Sequence, residues 1–210
     1  MPCRISNENV MLVDTPGFSD TNLSDTEILR RIAAWMKDTY DDGFLLSGII
    51  YLHRIIDTRI EGPSLKNLRM MKKLCGANSL RNVVLATTMW ERVTEGEGLR
   101  REAELKQVFW KDMIDGGLTV TRIATETGDD ARVLVKSLLK NKPISTRLQE
   151  ELHSGMTLVQ TEASAEIREE IAKLEQKLKE EHENDMMELK AAQRARENHL
   201  SSHSLITIDK

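Results

Sequence analysis

The sequence predicts an α/β fold in which a parallel sheet is covered by helices on both faces and a long charged helix follows it. Three observations carry this expectation. Short apolar runs alternate with amphipathic stretches, helix-starting and helix-stopping residues stand at the boundaries, and Gly and Pro vanish over 165–198 while Glu, Lys and Arg crowd in. Right-handed crossovers between parallel strands leave few other topologies.

The first apolar run is Asn9-Val10-Met11-Leu12-Val13-Asp14, which ends in a Pro-Gly turn. It shows no polar alternation, so residues 9–14 are expected as a strand buried on both faces of a parallel sheet. Ser24-Asp25-Thr26-Glu27 has the spacing of a capping box, in which the Ser24 and Glu27 side chains satisfy each other's exposed amides. Ile28, Ile32, Trp35 and Met36 follow at helical spacing, which predicts an amphipathic helix over 25–39.

The alternation continues. Leu46 to Leu52 is expected as a second buried strand, and Pro63 and Ser64 open a helix carrying Leu65, Leu68, Met71 and Leu74, which Gly76 ends. Val83 to Thr87 is a third strand, Leu99 to Ile114 a helix and Leu118 to Ile123 a fourth strand. A last helix starts at Gly128-Asp129, turns Val133, Val135, Leu138 and Leu139 inward and closes near Pro143. Trp35 and Trp110, at helical spacing among apolar neighbours, are expected in the core.

Composition bounds the function. Of 210 residues, 40% are apolar and 30% charged, a soluble chain with a real core, and 4% aromatics leave that core to Leu, Ile, Val, Met and Ala. A net charge of −4 gives no basic excess for nucleic acid. Cys3 and Cys75 form neither a CxxC pair nor a metal-ligand spacing, and no apolar run nears the roughly 20 residues that cross a bilayer. A cytoplasmic chain is expected, with membrane recruitment left open.

From about Ile144 the character changes. Ile167, Ile171, Leu174 and Leu178 step by 4, 3 and 4, a coiled-coil seam, with Glu169–Lys173 and Glu175–Lys179 as i,i+4 pairs. Glu181 and Asp185 then interrupt it before Met186 and Leu189 resume out of phase. Two readings stand: a solvated helix packing one stripe on its own domain, or a helix that pairs with itself or with a partner. The expected divisions are 1–143 for the α/β domain, 144–164 as connector, 165–200 as the coiled-coil-like helix and 201–210 as a disordered tail.

Chemistry concentrates in two loops. An aspartate at the carboxyl end of a buried strand, before a tight turn, suits ligand binding, since open parallel sheets bind outside their strand carboxyl ends. In Asp14-Thr15-Pro16-Gly17, Asp14 can hold a water on Mg²⁺, the Gly17 amide can approach a terminal phosphate, and Thr15 and Pro16 stiffen the turn. The second loop follows the third strand, in Val84-Leu85-Ala86-Thr87-Thr88-Met89-Trp90-Glu91. In the frame (N/T)KxD used to read guanine, Thr88 takes the first position, Met89 the Lys position and Glu91 the Asp position. A carboxylate there accepts two N–H groups that adenine does not offer; Trp90 can stack on the base or pack. His53 and Arg54 at a strand end, and Arg30 and Arg31 on the first helix, are weaker candidates. His182, His199 and His203 lack ligand spacing.

VDTPGF, together with Ser47-Gly48-Ile49-Ile50-Tyr51-Leu52-His53-Arg54-Ile55, Lys66-Asn67-Leu68, Lys73-Leu74-Cys75-Gly76 and Val83 to Trp90, resembles fungal G-domain proteins of the AIG1/Toc34/septin-like branch of P-loop GTPases. The likeness covers 10–141, and the start of the tail, Leu148 to Leu152 with Thr157-Leu158, is similar too. It implies a three-layer P-loop NTPase-like sheet, binding of GTP or GDP with Mg²⁺, slow hydrolysis, and homo- or hetero-oligomers formed through the G domain or the C-terminal helix. The site residues it implies are Asp14, Thr15 and Gly17 at the metal and terminal phosphate, and Thr88, Trp90 and Glu91 at the base.

The chain departs from the pattern in one respect. Such GTPases carry a strand, a GxxxxGK(S/T) loop, a helix, a switch threonine and a second strand before DxxG, about 40–60 residues by typical element lengths. Here 13 residues precede Asp14 and no Gly-Lys pair occurs. Without that loop there is no amide cradle, no lysine on the β/γ charge and no hydroxyl on Mg²⁺. The expectation is an incomplete sheet with an exposed edge or an unfilled place, and a family member whose nucleotide binding and hydrolysis are impaired. A non-catalytic interaction module is the alternative.

Overall fold

Val83-Val84-Leu85-Ala86-Thr87 is buried on both faces, as an unbroken apolar run in a parallel sheet should be. In the computed structural model, which describes residues 2–5, 8–18, 23–57, 62–124 and 127–204, this segment is the middle strand of a three-stranded parallel sheet. The order is β3 (Ile49–Arg54), β4 (Val83–Thr88), β5 (Thr119–Arg122). Register runs Tyr51 to Leu85 to Val120 across the three strands.

Helices return the chain between strands. Before β3 comes α1 (Asp25–Asp41); α2 (Pro63–Cys75) links β3 to β4; α3 (Glu95–Glu104) and α4 (Lys111–Asp115) link β4 to β5; α5 (Asp129–Leu139) follows β5. Leu134 and Leu138 of α5 pack on Val84 and Ala86, with Ile50 and Ile123 at the margin. Gly48 permits the close approach: a Cβ there would come within 2.6 Å of a Leu138 methyl. The buried Asn82 amide donates to the carbonyls of Ser47 and Lys142, both at 3.0 Å, and fastens the starts of β3 and β4 to the chain leaving α5.

Residues 9–14 differ from expectation. They contribute β2 (Glu8–Met11), which pairs antiparallel with β1 (Pro2–Ile5) and with no strand of the parallel sheet. Met11, Leu12 and Val13 are 66%, 38% and 42% exposed. An apolar run supplies a strand, but its pairing depends on which backbone edge lies alongside, and a two-strand hairpin takes the local one. β3 is an edge strand of its sheet, and Leu52 faces outward at 61% exposure.

Other expectations shift in detail. Ser24 caps α1, accepting from the Glu27 amide at 3.2 Å, but the Glu27 carboxylate turns to Arg30 and Arg31 rather than back to the cap. Two guanidiniums compete more strongly for a carboxylate than one amide does. Those arginines lie on an exposed face of α1. Trp35 is 36% exposed, and Val133 is 67% exposed with Leu134 buried in its place. The helix expected over 99–114 breaks into α3, a π-turn at Leu105–Phe109 and α4.

The segment 144–164 folds onto the sheet domain. Thr146 and Gln149 form a capping box at α6 (Arg147–His153), and the buried Gln149 amide donates to the Met36 carbonyl of α1 at 3.1 Å. Ile167 is 1% exposed, so it belongs to this core rather than opening a helical seam. The unit ends there; α7 (Arg168–Ser204) is a second unit. On α7, Leu178 and Leu189 are exposed, as is His182, and Lys179 faces Glu183 rather than Glu175. The side chains of residues 169, 171, 174, 199 and 203, and residues 205–210, lie outside the described residues.

Candidate functional site

The carboxyl end of β3, the start of α2 and the chain at Gly17 meet around a cavity of about 340 Å³. Gly17 and Phe18 form one wall; Tyr51, His53, Arg54 and Asp57 another; Ser64, Asn67 and Leu68 of α2 a third; Trp110 completes it. Its position outside the ends of a parallel sheet is where such folds bind ligands.

Each wall has a local cause. In a strand, side chains alternate, so His53 and Ile55 turn inward while Leu52 and Arg54 turn out. Arg54 then grips Asp57, with nitrogen–oxygen distances of 3.0 and 3.2 Å. Pro63 at the first position of α2 suits a helix start, but Gly62 before it provides no side-chain cap. Trp110 arrives through the π-turn: its amide reaches back five residues to the Leu105 carbonyl at 2.8 Å. The extra residue rotates the helix so that Trp110 is 0% exposed while Val108 stays 66% exposed.

His53 and Trp110 meet edge-to-face, ring centroids 5.5 Å apart at 88°. His53 Nε2 and Trp110 Nε1 are both buried and neither has a hydrogen-bond partner among the described residues. Such orphans are uncommon in folded proteins, where nearly all buried polar atoms are paired. Burial holds the His53 imidazole below its ordinary pKa, with Asp57 opposing and Arg54 assisting, so the ring is neutral near pH 7.

The residues expected from sequence fall into separate places. Gly17 reaches the cavity; Asp14 and Thr15 are exposed and are not on its walls. Thr88 ends β4, and its hydroxyl donates to the His53 carbonyl at 3.4 Å. Met89 takes a left-handed backbone (φ 61°), which throws Trp90-Glu91-Arg92 into a short 3₁₀ turn. Trp90 packs: its indole N–H donates to the Thr87 hydroxyl at 3.0 Å, and the Arg122 guanidinium lies 4.3 Å above its ring. Glu91 is exposed, 3.5 Å from Arg92.

This set fits a guanine nucleotide and Mg²⁺ only at its margins. Among the described residues no group of three His, Cys, Asp or Glu side chains could hold a metal ion. Asp14 is thus a single carboxylate, and Mg²⁺ there would depend on phosphate oxygens and water. No GxxxxGK(S/T) loop occurs in the sequence to cradle those phosphates.

From the sequence, His53 is a weaker candidate at a strand end and Trp110 a core residue. Trp110 is core, but its unpaired nitrogen is new, and so is the unpaired Nε2 of His53. The π-turn that sets Trp110 has no pattern in the sequence; a histidine at the carboxyl end of an apolar strand was the available signal. No protein-family model matches the chain, and no curated protein matches it.

Proposed function

We propose that the unit ending at Ile167 is a GTP-binding domain of the P-loop GTPase type, in which nucleotide binding and hydrolysis by this chain are impaired. The observation that carries the reading is the meeting of Gly17, from Asp14-Thr15-Pro16-Gly17, with the carboxyl end of β3. A DxxG turn delivered there is where a terminal phosphate would lie. In this reading Thr88 and Glu91, in the loop after β4, would serve the base, and neither lies on the cavity wall. The 210 residues hold no GxxxxGK(S/T) loop, and electrostatic stabilisation of the phosphates does most of the work in this chemistry, so the proposed impairment concerns these 210 residues alone.

The test is titration with fluorescent GTP and ATP, using the 210-residue chain beside one extended by in-frame codons upstream of Met1. The expected result is no saturation by the short chain below about 10 μM, with guanine selectivity in the extended one. Sub-micromolar binding by the short chain would overturn the impairment. An extended chain that binds neither nucleotide would overturn the GTPase reading.

A second reading, an interaction module, is favoured by α7, a 37-residue helix forming its own unit with Leu178, Met186, Met187 and Leu189 exposed. Sedimentation of the chain with and without residues 168–210 tests it. An unchanged monomeric state, with no partner recovered, would remove its support.

A further inference from the structure

We infer that the cavity between Gly17, the carboxyl end of β3 and the start of α2 binds a small oxyanion, a carboxylate or phosphate group. It is held by the unfilled amides of α2 and the indole N–H of Trp110.

Two independent observations converge on this ligand. The first is the end of α2. In a helix of 13 residues opened by Pro63, the Ser64 and Leu65 amides have no partner within the helix, and among the described residues no side chain caps them. They stand at the positive end of the helix dipole, and Ser64 lines the cavity. The second is the pair of orphans. Trp110 Nε1 can only donate, so whatever satisfies it must offer an acceptor. His53, 9% exposed, also lines the cavity and has its Nε2 buried without a partner among the described residues; the neutral tautomer with its proton on Nε2 adds a second buried donor.

Charge and size fit as well. Arg54 and Asp57 neutralise each other at the rim, leaving the helix end as the unbalanced positive element among the described residues of the site. The 340 Å³ volume lies near the bottom of the range of about 300–1,000 Å³ for ligand pockets, which suits a small ion better than a whole nucleotide. The inference shares Gly17 with the proposed function but does not depend on it.

The three indole N–H groups of Trp35, Trp90 and Trp110 give separate probes in proton–nitrogen NMR spectra of the full chain, assigned by Trp→Phe variants. Sodium phosphate, sodium acetate and a non-hydrolysable GTP analogue are titrated separately, at ionic strength held constant with sodium chloride. A saturable shift of the Trp110 signal by phosphate or acetate, with Trp90 unmoved, is expected. A dissociation constant around 1 mM is reasonable for one such ion. Ser64→Asp, which places a carboxylate on the same amides, should weaken binding at least tenfold.

No saturable shift, or equal shifts of all three indoles, would overturn the inference. So would a response to the GTP analogue alone, because the oxyanion would then not suffice. A response to phosphate without one to the analogue leaves this site standing and counts against the nucleotide reading.

Discussion

Arg122 at the end of β5 lies with its guanidinium 4.3 Å over the ring of Trp90 while its Nε donates to the Glu102 carboxylate of α3 at 2.9 Å. One side chain thus clamps the loop after β4 to the helix that follows it. Glu102 is 4% exposed, and Lys106 is its other partner at 3.1 Å. Arg122 holds the Glu102 carboxyl below its usual range, against the opposing effect of burial. The clamp explains why Trp90 packs against this loop.

Arg122→Ala should therefore destabilise the fold by about 2 kcal/mol. Removing one partner of a buried pair can cost more, but Lys106 remains and Arg122 is itself partly solvated. Urea unfolding followed by circular dichroism reads the loss, and Trp90 emission should shift as its ring loses its cover. A change below about 0.5 kcal/mol would place Arg122 among ordinary surface pairs.

Gly98→Ala sets two effects against each other. Ala in place of Gly inside a helix normally stabilises by about 1 kcal/mol. Here the new Cβ would stand 2.7 Å from Cζ3 of Trp90, a rigid ring already fixed by Thr87 and Arg122. The ring cannot step aside without breaking those contacts, so a net loss of about 1 kcal/mol is expected in the same unfolding experiment. A stabilised variant would show that the loop after β4 yields easily.

Acid should weaken the fold through its paired carboxylates. Hydrogen bonds from Arg30 and then Arg31 lower the Glu27 pKa from 4.5 to about 2, and Lys73 and Arg122 lower Glu166 and Glu102 in the same sense. A depressed folded-state pKa gives stability that is present above the unfolded value and lost as pH falls through the folded one. The urea midpoint should thus hold steady above pH 4.5 and drop between there and about pH 2. Glu27→Gln should show a shallower drop, and 1 M salt should blunt the wild-type slope at the exposed Arg30 and Arg31 pairs. An identical slope in the variant would exclude Glu27 as a contributor.

Much of the architecture was legible along the chain because its signals are local. The apolar run at Val83–Thr87, the cap at Ser24, Pro63 at the start of α2 and Gly76 at its end each state their purpose within a few residues. The sequence by itself therefore determined the alternation of strands and helices, the parallel sheet and the charged C-terminal helix. It also marked the Gly17 turn as a candidate place for a ligand, and that turn lies on a cavity wall.

Tertiary structure alone decided the rest. Periodicity cannot say which edge the Val10–Val13 run pairs with, and Val10 and Met11 pair with β1 instead of the sheet. Nor can it foresee the π-turn, which costs one hydrogen-bond register and brings the Trp110 indole against His53. The cavity beside Gly17 is made from segments separated by dozens of residues, and its two orphaned nitrogens arise only when those segments close together. Local patterns fix elements because their causes lie within one turn or one strand. A site is fixed by packing, which no stretch of the chain contains on its own.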